Sequence, residues 1–285
     1  MKRILQILTA FSLFLSCAPS SHASDFQDKM ARKSLAELIV DLHDDDIRFN
    51  AIHAWQELIF RRGPEKTAPL EKALDSKDWQ QRQIAADILR HIDGYQPTDR
   101  LIEATVEGLR DDKLPGWFSG EGQILLYNAT EGMRYLLLHP TLGAKPLEKA
   151  LNSDEKQQRF LAAFVLGATG RSAQIEKMAQ ILIPHLKHDD TRLNACMAAH
   201  ALYKSGEAVI PFLSAYRDSP DEQQRAAVRL ILMDLKSPPK TKAELLARRK
   251  FHDLSPTKPD PAFQLWSEDR FSNMVPAGIV GKPLF

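Results

Sequence analysis

Pro69-Leu70-Glu71-Lys72-Ala73-Leu74-Asp75-Ser76, then Lys77-Asp78-Trp79, then Gln80-Gln81-Arg82-Gln83-Ile84-Ala85-Ala86-Asp87-Ile88-Leu89, is the stretch that decides the fold. Seventy-seven residues on, Pro146-Leu147-Glu148-Lys149-Ala150-Leu151-Asn152-Ser153 leads to Gln157-Gln158-Arg159-Phe160-Leu161-Ala162-Ala163-Phe164-Val165-Leu166. Thirteen of 21 positions are identical between residues 69–89 and 146–166, far more than coincidence allows, so the chain repeats itself.

The arginine of the triplet locates further copies. Arg48, Arg82, Arg159, Arg192 and Arg225 are spaced by 34, 77, 33 and 33 residues. The long gap hides one more, because Leu126-Tyr127-Asn128-Ala129 aligns with Arg48-Phe49-Asn50-Ala51 and with Arg192-Leu193-Asn194-Ala195. Six units result. In the hidden unit Leu126 replaces the arginine, and the 44 residues from Arg82 imply an insertion of about 11. Three positions past each anchor stand Ala51, Ala85, Ala129, Ala162, Ala195 and, in the sixth unit, Val228. One position later come Ile52, Ala86, Thr130, Ala163 and Cys196, with Arg229 as the exception. Positions three, four, seven and ten past the anchor share one helical face, with Trp55 and Leu58, Leu89 and Ile92, Met133 and Leu136, or Leu166 supplying bulk. Small residues at fixed points let two helices approach closely. A shorter helix precedes, marked by Leu35, Leu38, Leu42 and by Leu182, Leu186. Between the two fall Asp44 to Asp46, Asp75 and Asp78, Asp154, Asp189 and Asp190, and Asp221, placed to cap the amides of the second helix.

This pattern of Pro-x3-Leu, acidic turn, Arg, Ala-Ala and Leu resembles HEAT repeats, in particular the short HEAT-like kind of bilin lyases and of many exported bacterial proteins. The resemblance covers residues 34–235. It implies an all-α chain, a right-handed α-solenoid of about six helical hairpins, with second helices lining the concave side. It also implies a ladder between turns, in which an Asp and an Arg of successive repeats pair. The matching residues are Arg48, Arg82, Arg159, Arg192 and Arg225, interrupted by Leu126. The likeness to bilin lyases raises an alternative activity, that of a lyase or chaperone for a tetrapyrrole or another cofactor. An iron-binding HEAT-like hydroxylase is set aside, because the chain contains no His-Glu dipeptide.

Hydrophobic residues make up 44% and charged residues 26%, which excludes wholesale disorder and allows one large or two small domains. The chain opens with Lys2 and Arg3, an apolar run Ile4 to Leu15, and small residues ending Ser21-His22-Ala23. That reads as an export signal over residues 1–23, too short for a bilayer span. Phe14-Leu15-Ser16-Cys17 offers a second cleavage point resembling a lipobox, with Cys17 lipid-anchored. Both place the protein in the periplasm or envelope. Without Lys2 and Arg3 the basic count falls from 38 to 36 against 37 acids, so no nucleic-acid partner is expected. Either cut leaves no free cysteine pair, because Cys17 is removed or acylated, and the fold must rely on its core.

Stacked repeats leave an extended surface, and a protein or peptide partner is the expectation. The inserted stretch Asp111 to Gly122 carries Trp117 and Phe118, which either anchor a partner or fold back over the gap left by the missing arginine. After Ser237-Pro238-Pro239 the repeat stops, and a helix over about 241–252 is expected to lead into the tail. Residues 236–285 form a Pro-rich tail with Phe263, Trp266 and Phe271, which either caps the last repeat or docks elsewhere. His185-x-x-His188-Asp189-Asp190 could be drawn as a metal site, but histidines at a helix C-terminus followed by capping aspartates account for it. Cys196, in the small-residue column, reads as an inert thiol. No catalytic residue, metal or cofactor is assigned.

Overall fold

The computed structural model describes residues 28–43, 50–61, 63–110, 123–187 and 192–238; at 123–128, 130, 192–193 and 196 only the backbone is described. All regular structure among these residues is helical. The helices come in alternating pairs: α1 (Leu35–Asp41) with α2 (Ile52–Phe60), α3 (Thr67–Ala73) with α4 (Trp79–Arg90), and α5 (Asp99–Glu107) with α6 (Gln123–Leu138). The remaining pairs are α7 (Ala144–Ala150) with α8 (Lys156–Thr169), α9 (Ile175–Leu182) with α10 (Arg192–Lys204), and α11 (Ile210–Ser214) with α12 (Glu222–Lys236). Short 3-10 turns, Pro64–Lys66, Ile183–Leu186 and Gly206–Val209, extend three of the first helices. The expected export segment, the inserted loop and the tail beyond Pro238 lie outside the described residues.

Local chemistry explains where the helices start. Ser34 and Glu37 form a reciprocal capping box on α1, and the same bonds hold the Glu37 carboxyl below its ordinary value. Asp78 and Asp221 accept from the Gln81 and Gln224 amides, and Thr98 accepts from the Leu101 amide. The aspartate cap expected in the fourth hairpin is missing. Asp154 stands one residue early there, and Glu155 occupies the cap position without a side-chain bond. Gly170 ends α8 in the left-handed region, where a Cβ would be strained.

The chain divides into two compact units, Met1–Tyr95 and Gln96–Phe285. In the first, α1 packs on α3 and α2 on α4. In the second, the second helices α6, α8, α10 and α12 each touch the next, while α5 packs on α7 and α9 on α11. Small residues are buried where the helices meet. Ala85, Ala86, Ala162, Ala163 and Ala198 have no exposed surface, and a Cβ built on Gly167 would lie 2.8 Å from the Cβ of Ala201 on α10. Around this contact Leu136, Leu147, Phe164, Met178, Leu182, Leu202, Leu213 and Val228 form the core of the second unit.

Candidate interaction surface of the second helices

The anchor arginines point back along their own turns. Arg82, Arg159 and Arg225 donate to the carbonyls of Ser76, Ser153 and Ser219, six residues upstream in each case. The hydroxyls of the same serines accept from the amides of Asp78, Glu155 and Asp221. Links to the preceding hairpin are carried by the glutamines just before. Gln81 Nε2 donates to Ile39 O at 2.6 Å, Gln158 to Val106 O at 2.8 Å and Gln224 to Ile183 O at 2.8 Å. The first glutamine of each doublet reaches three or four residues further, to the carbonyls of Leu42, Arg110 and Leu186. These acceptors lie at or just beyond the C-terminal turn of a first helix, where carbonyls lack helical partners. Arg48 and the side chain of Arg192 lie outside the described residues.

The chemistry at one pair of positions on the second helices changes along the chain. Positions five and eight past the anchor sit one turn apart on one face. In the first three hairpins they are His53 and Gln56, Asp87 and Arg90, Glu131 and Arg134; in the last three they are Phe164 and Gly167, Met197 and His200, Leu230 and Met233. Asp87 is 8% exposed and fully engaged: its Oδ2 accepts from Trp55 Nε1 at 2.7 Å and its Oδ1 from Arg90 at 3.0 Å. A buried carboxylate with two charge-assisted donors fixes α4 against α2 and is no general base. Burial lowers the pKa of His53.

On α6 the same pairing is more open. Glu131 accepts from Arg134 at 2.8 Å, the Arg134 side chain keeps 38% of its surface, and its buried Nε has no hydrogen-bond partner. The rings of Tyr135 and His139 meet at a tilt of 42° with centroids 4.5 Å apart, Tyr135 is partly buried against the core, and Leu138 is 39% exposed. Glu131, Arg134, Tyr135, Leu138 and His139 follow the i, i+3, i+4, i+7, i+8 pattern, so they form one stripe along α6. The stripe offers a guanidinium, two rings and an aliphatic side chain, a set suited to recognition.

Of the residues singled out from sequence, Trp117, Phe118 and Trp266 lie outside the described residues, as do His188, Asp189, Asp190 and the side chain of Cys196. The His185 ring meets that of Phe160 at a tilt of 54° with centroids 4.4 Å apart. The glutamines and the α6 stripe were not singled out. The signal for the glutamines was available, since Gln-Gln precedes the arginine in the second, fourth and sixth hairpins. Among the described residues no helix is long and apolar enough to cross a membrane. No protein-family model matches the sequence, and no curated protein matches it either.

Proposed function

We propose that this chain is a noncatalytic interaction scaffold of the bacterial cell envelope, a HEAT-like α-solenoid. It holds a protein or peptide partner along its second helices and through the inserted loop of Trp117 and Phe118. The observation that carries the reading is the α6 stripe. An Arg134 with 38% of its side chain exposed and an unpaired buried Nε, two rings in tilted contact and an exposed leucine stand on or at the end of a helix packed between α5 and α8. Arginine and tyrosine are the side chains that dominate contact energies, and a rigid helix presents them at low entropic cost. The insertion enters α6 directly, so its aromatic pair and the stripe are continuous in sequence. The glutamine links support the solenoid reading, because the second, fourth and sixth hairpins each bond to the preceding one in the same way.

Crosslinking and pull-down from the native envelope test this. Arg134→Glu with Tyr135→Ala should cut recovery of the partner at least tenfold while the melting temperature stays within a few degrees. Trp117→Ala with Phe118→Ala should act in the same direction. Undiminished recovery with both variants refutes the reading. A melting temperature that falls by many degrees in the loop variant would assign those rings to the core.

A further inference from the structure

An acid five residues past the anchor, with an arginine three residues further on, occurs in two of the six hairpins: Asp87–Arg90 on α4 and Glu131–Arg134 on α6. On α4 the arginine takes one carboxylate oxygen, and the indole Nε1 of Trp55 donates to the other at 2.7 Å. Trp55 stands seven residues past its own anchor, in the preceding hairpin. One hairpin further along, that register holds Leu89, whose side chain has no N–H to offer. Among the described residues Glu131 accepts from Arg134 alone, through Oε1, and its Oε2 accepts nothing. Arg134 has Nη1 engaged and Nε without a partner. Arg134 and Glu131 keep 38% and 22% of their side chains exposed, against 3% and 12% for Arg90 and Asp87. The pair closed by an indole on α4 is thus open on α6.

We propose that the Glu131–Arg134 pair receives a tryptophan side chain of the protein or peptide partner, completing on α6 what Trp55 completes on α4. The inference rests on the interaction reading given above and names the group recognised. The charges of the pair select it. Glu131 Oε2 attracts the positive N–H edge of an indole, and the Arg134 guanidinium favours the electron-rich face of the ring. A carboxylate or phosphate on the partner would be repelled by Glu131, and an ammonium by Arg134. A neutral donor with an aromatic face complements both. Leu138, one turn beyond Arg134 on the same stripe and 39% exposed, adds apolar surface for the ring.

Titration of the full chain with N-acetyl-L-tryptophanamide, followed by NMR at the Leu138 methyls and the Arg134 Nε–H, tests the assignment. The compound should shift both signals with a roughly millimolar Kd. Its 1-methylindole analogue, which lacks the N–H, should bind at least about fivefold more weakly, and so should the parent compound to Glu131→Ala. Equal affinity for the two compounds, or no shift at either signal, overturns the proposal without recourse to any variant. In Trp117→Phe the affinity should stay as in the wild type. A rise of about fivefold or more there would mean that the chain's own indole competes for the pair, and overturns it too. Loss of the envelope partner from Arg134→Glu/Tyr135→Ala with no indole binding would remove this inference and leave the interaction reading standing. Indole binding with undiminished partner recovery would refute the interaction reading, and with it the partner as the source of the ring.

Discussion

Gly167 shows how one missing methyl group sets a helix crossing. Its virtual Cβ would stand 2.8 Å from the Ala201 Cβ, closer than real contacts allow, and 3.0 Å from the Ala201 carbonyl oxygen, tighter than most. The obstacle is partly backbone, so a side-chain rotation cannot relieve it. Gly167→Ala is therefore expected to push α8 and α10 apart and to cost about 1–3 kcal/mol, outweighing the roughly 1 kcal/mol that alanine gains over glycine inside a helix. Urea unfolding measures the balance, and a variant more stable than the wild type would disprove the close approach. At Gly132 the nearest atoms, from Thr105, stand at 3.4 Å, so the same substitution has more room there. Lys66 makes the complementary point about polar residues. It is buried, and its Nζ donates to the carbonyls of Leu58, Ile59 and Arg61 at the end of α2, with burial lowering its pKa. A hydrophobicity profile has no reason to place a lysine there.

Three of the second helices, those of the second, fourth and sixth hairpins, start with a seven-residue device: Ser76 to Arg82, Ser153 to Arg159 and Ser219 to Arg225. The serine hydroxyl accepts an amide, the serine carbonyl takes the arginine, and the acid between them caps the helix in two of the three copies. Asp78→Ala and Asp221→Ala should each cost about 1 kcal/mol, whereas Glu155→Ala should change stability by a few tenths at most. Chemical denaturation of the three variants tests this. Equal losses at all three sites would mean that the acids act through charge at the helix N-terminus and not through the hydrogen bond. Helix starts of this kind were legible in advance, because an Asp before an apolar run is a local signal. The failure at Glu155 was not, since one residue of offset moves the carboxylate out of reach of the free amide.

Across the whole molecule, stability should depend on pH through histidines held neutral by their surroundings. His200 on α10 is lowered to about 4 by burial and, less, by Lys204 nearby, and His53 is shifted the same way by burial. Unfolding returns such a group to about 6.5, where it takes up a proton that the folded chain refuses. Stability from this source is therefore intact above about pH 6.5 and declines as the pH falls towards 4, by on the order of 3 kcal/mol for His200. Urea midpoints at pH 7 and pH 5 should separate clearly in the wild type and less in His200→Gln. Identical separations in both proteins would remove His200 as the source.

Sequence by itself determined the helices, their alternation in pairs and the small-residue columns. Each of these follows from periods of 3.6 and about 33 residues that a chain displays without folding. Folding alone decided which groups join one hairpin to another. Gln81, Gln158 and Gln224 bond to carbonyls 42, 52 and 41 residues away, and Trp55 finds Asp87 at a distance of 32. A backbone carbonyl carries no residue-type signature, so nothing in the one-dimensional pattern names the acceptor. The same holds for exposure: Glu131 and Asp87 occupy one register and both pair with an arginine three residues on, yet neighbouring helices bury one pair more deeply than the other.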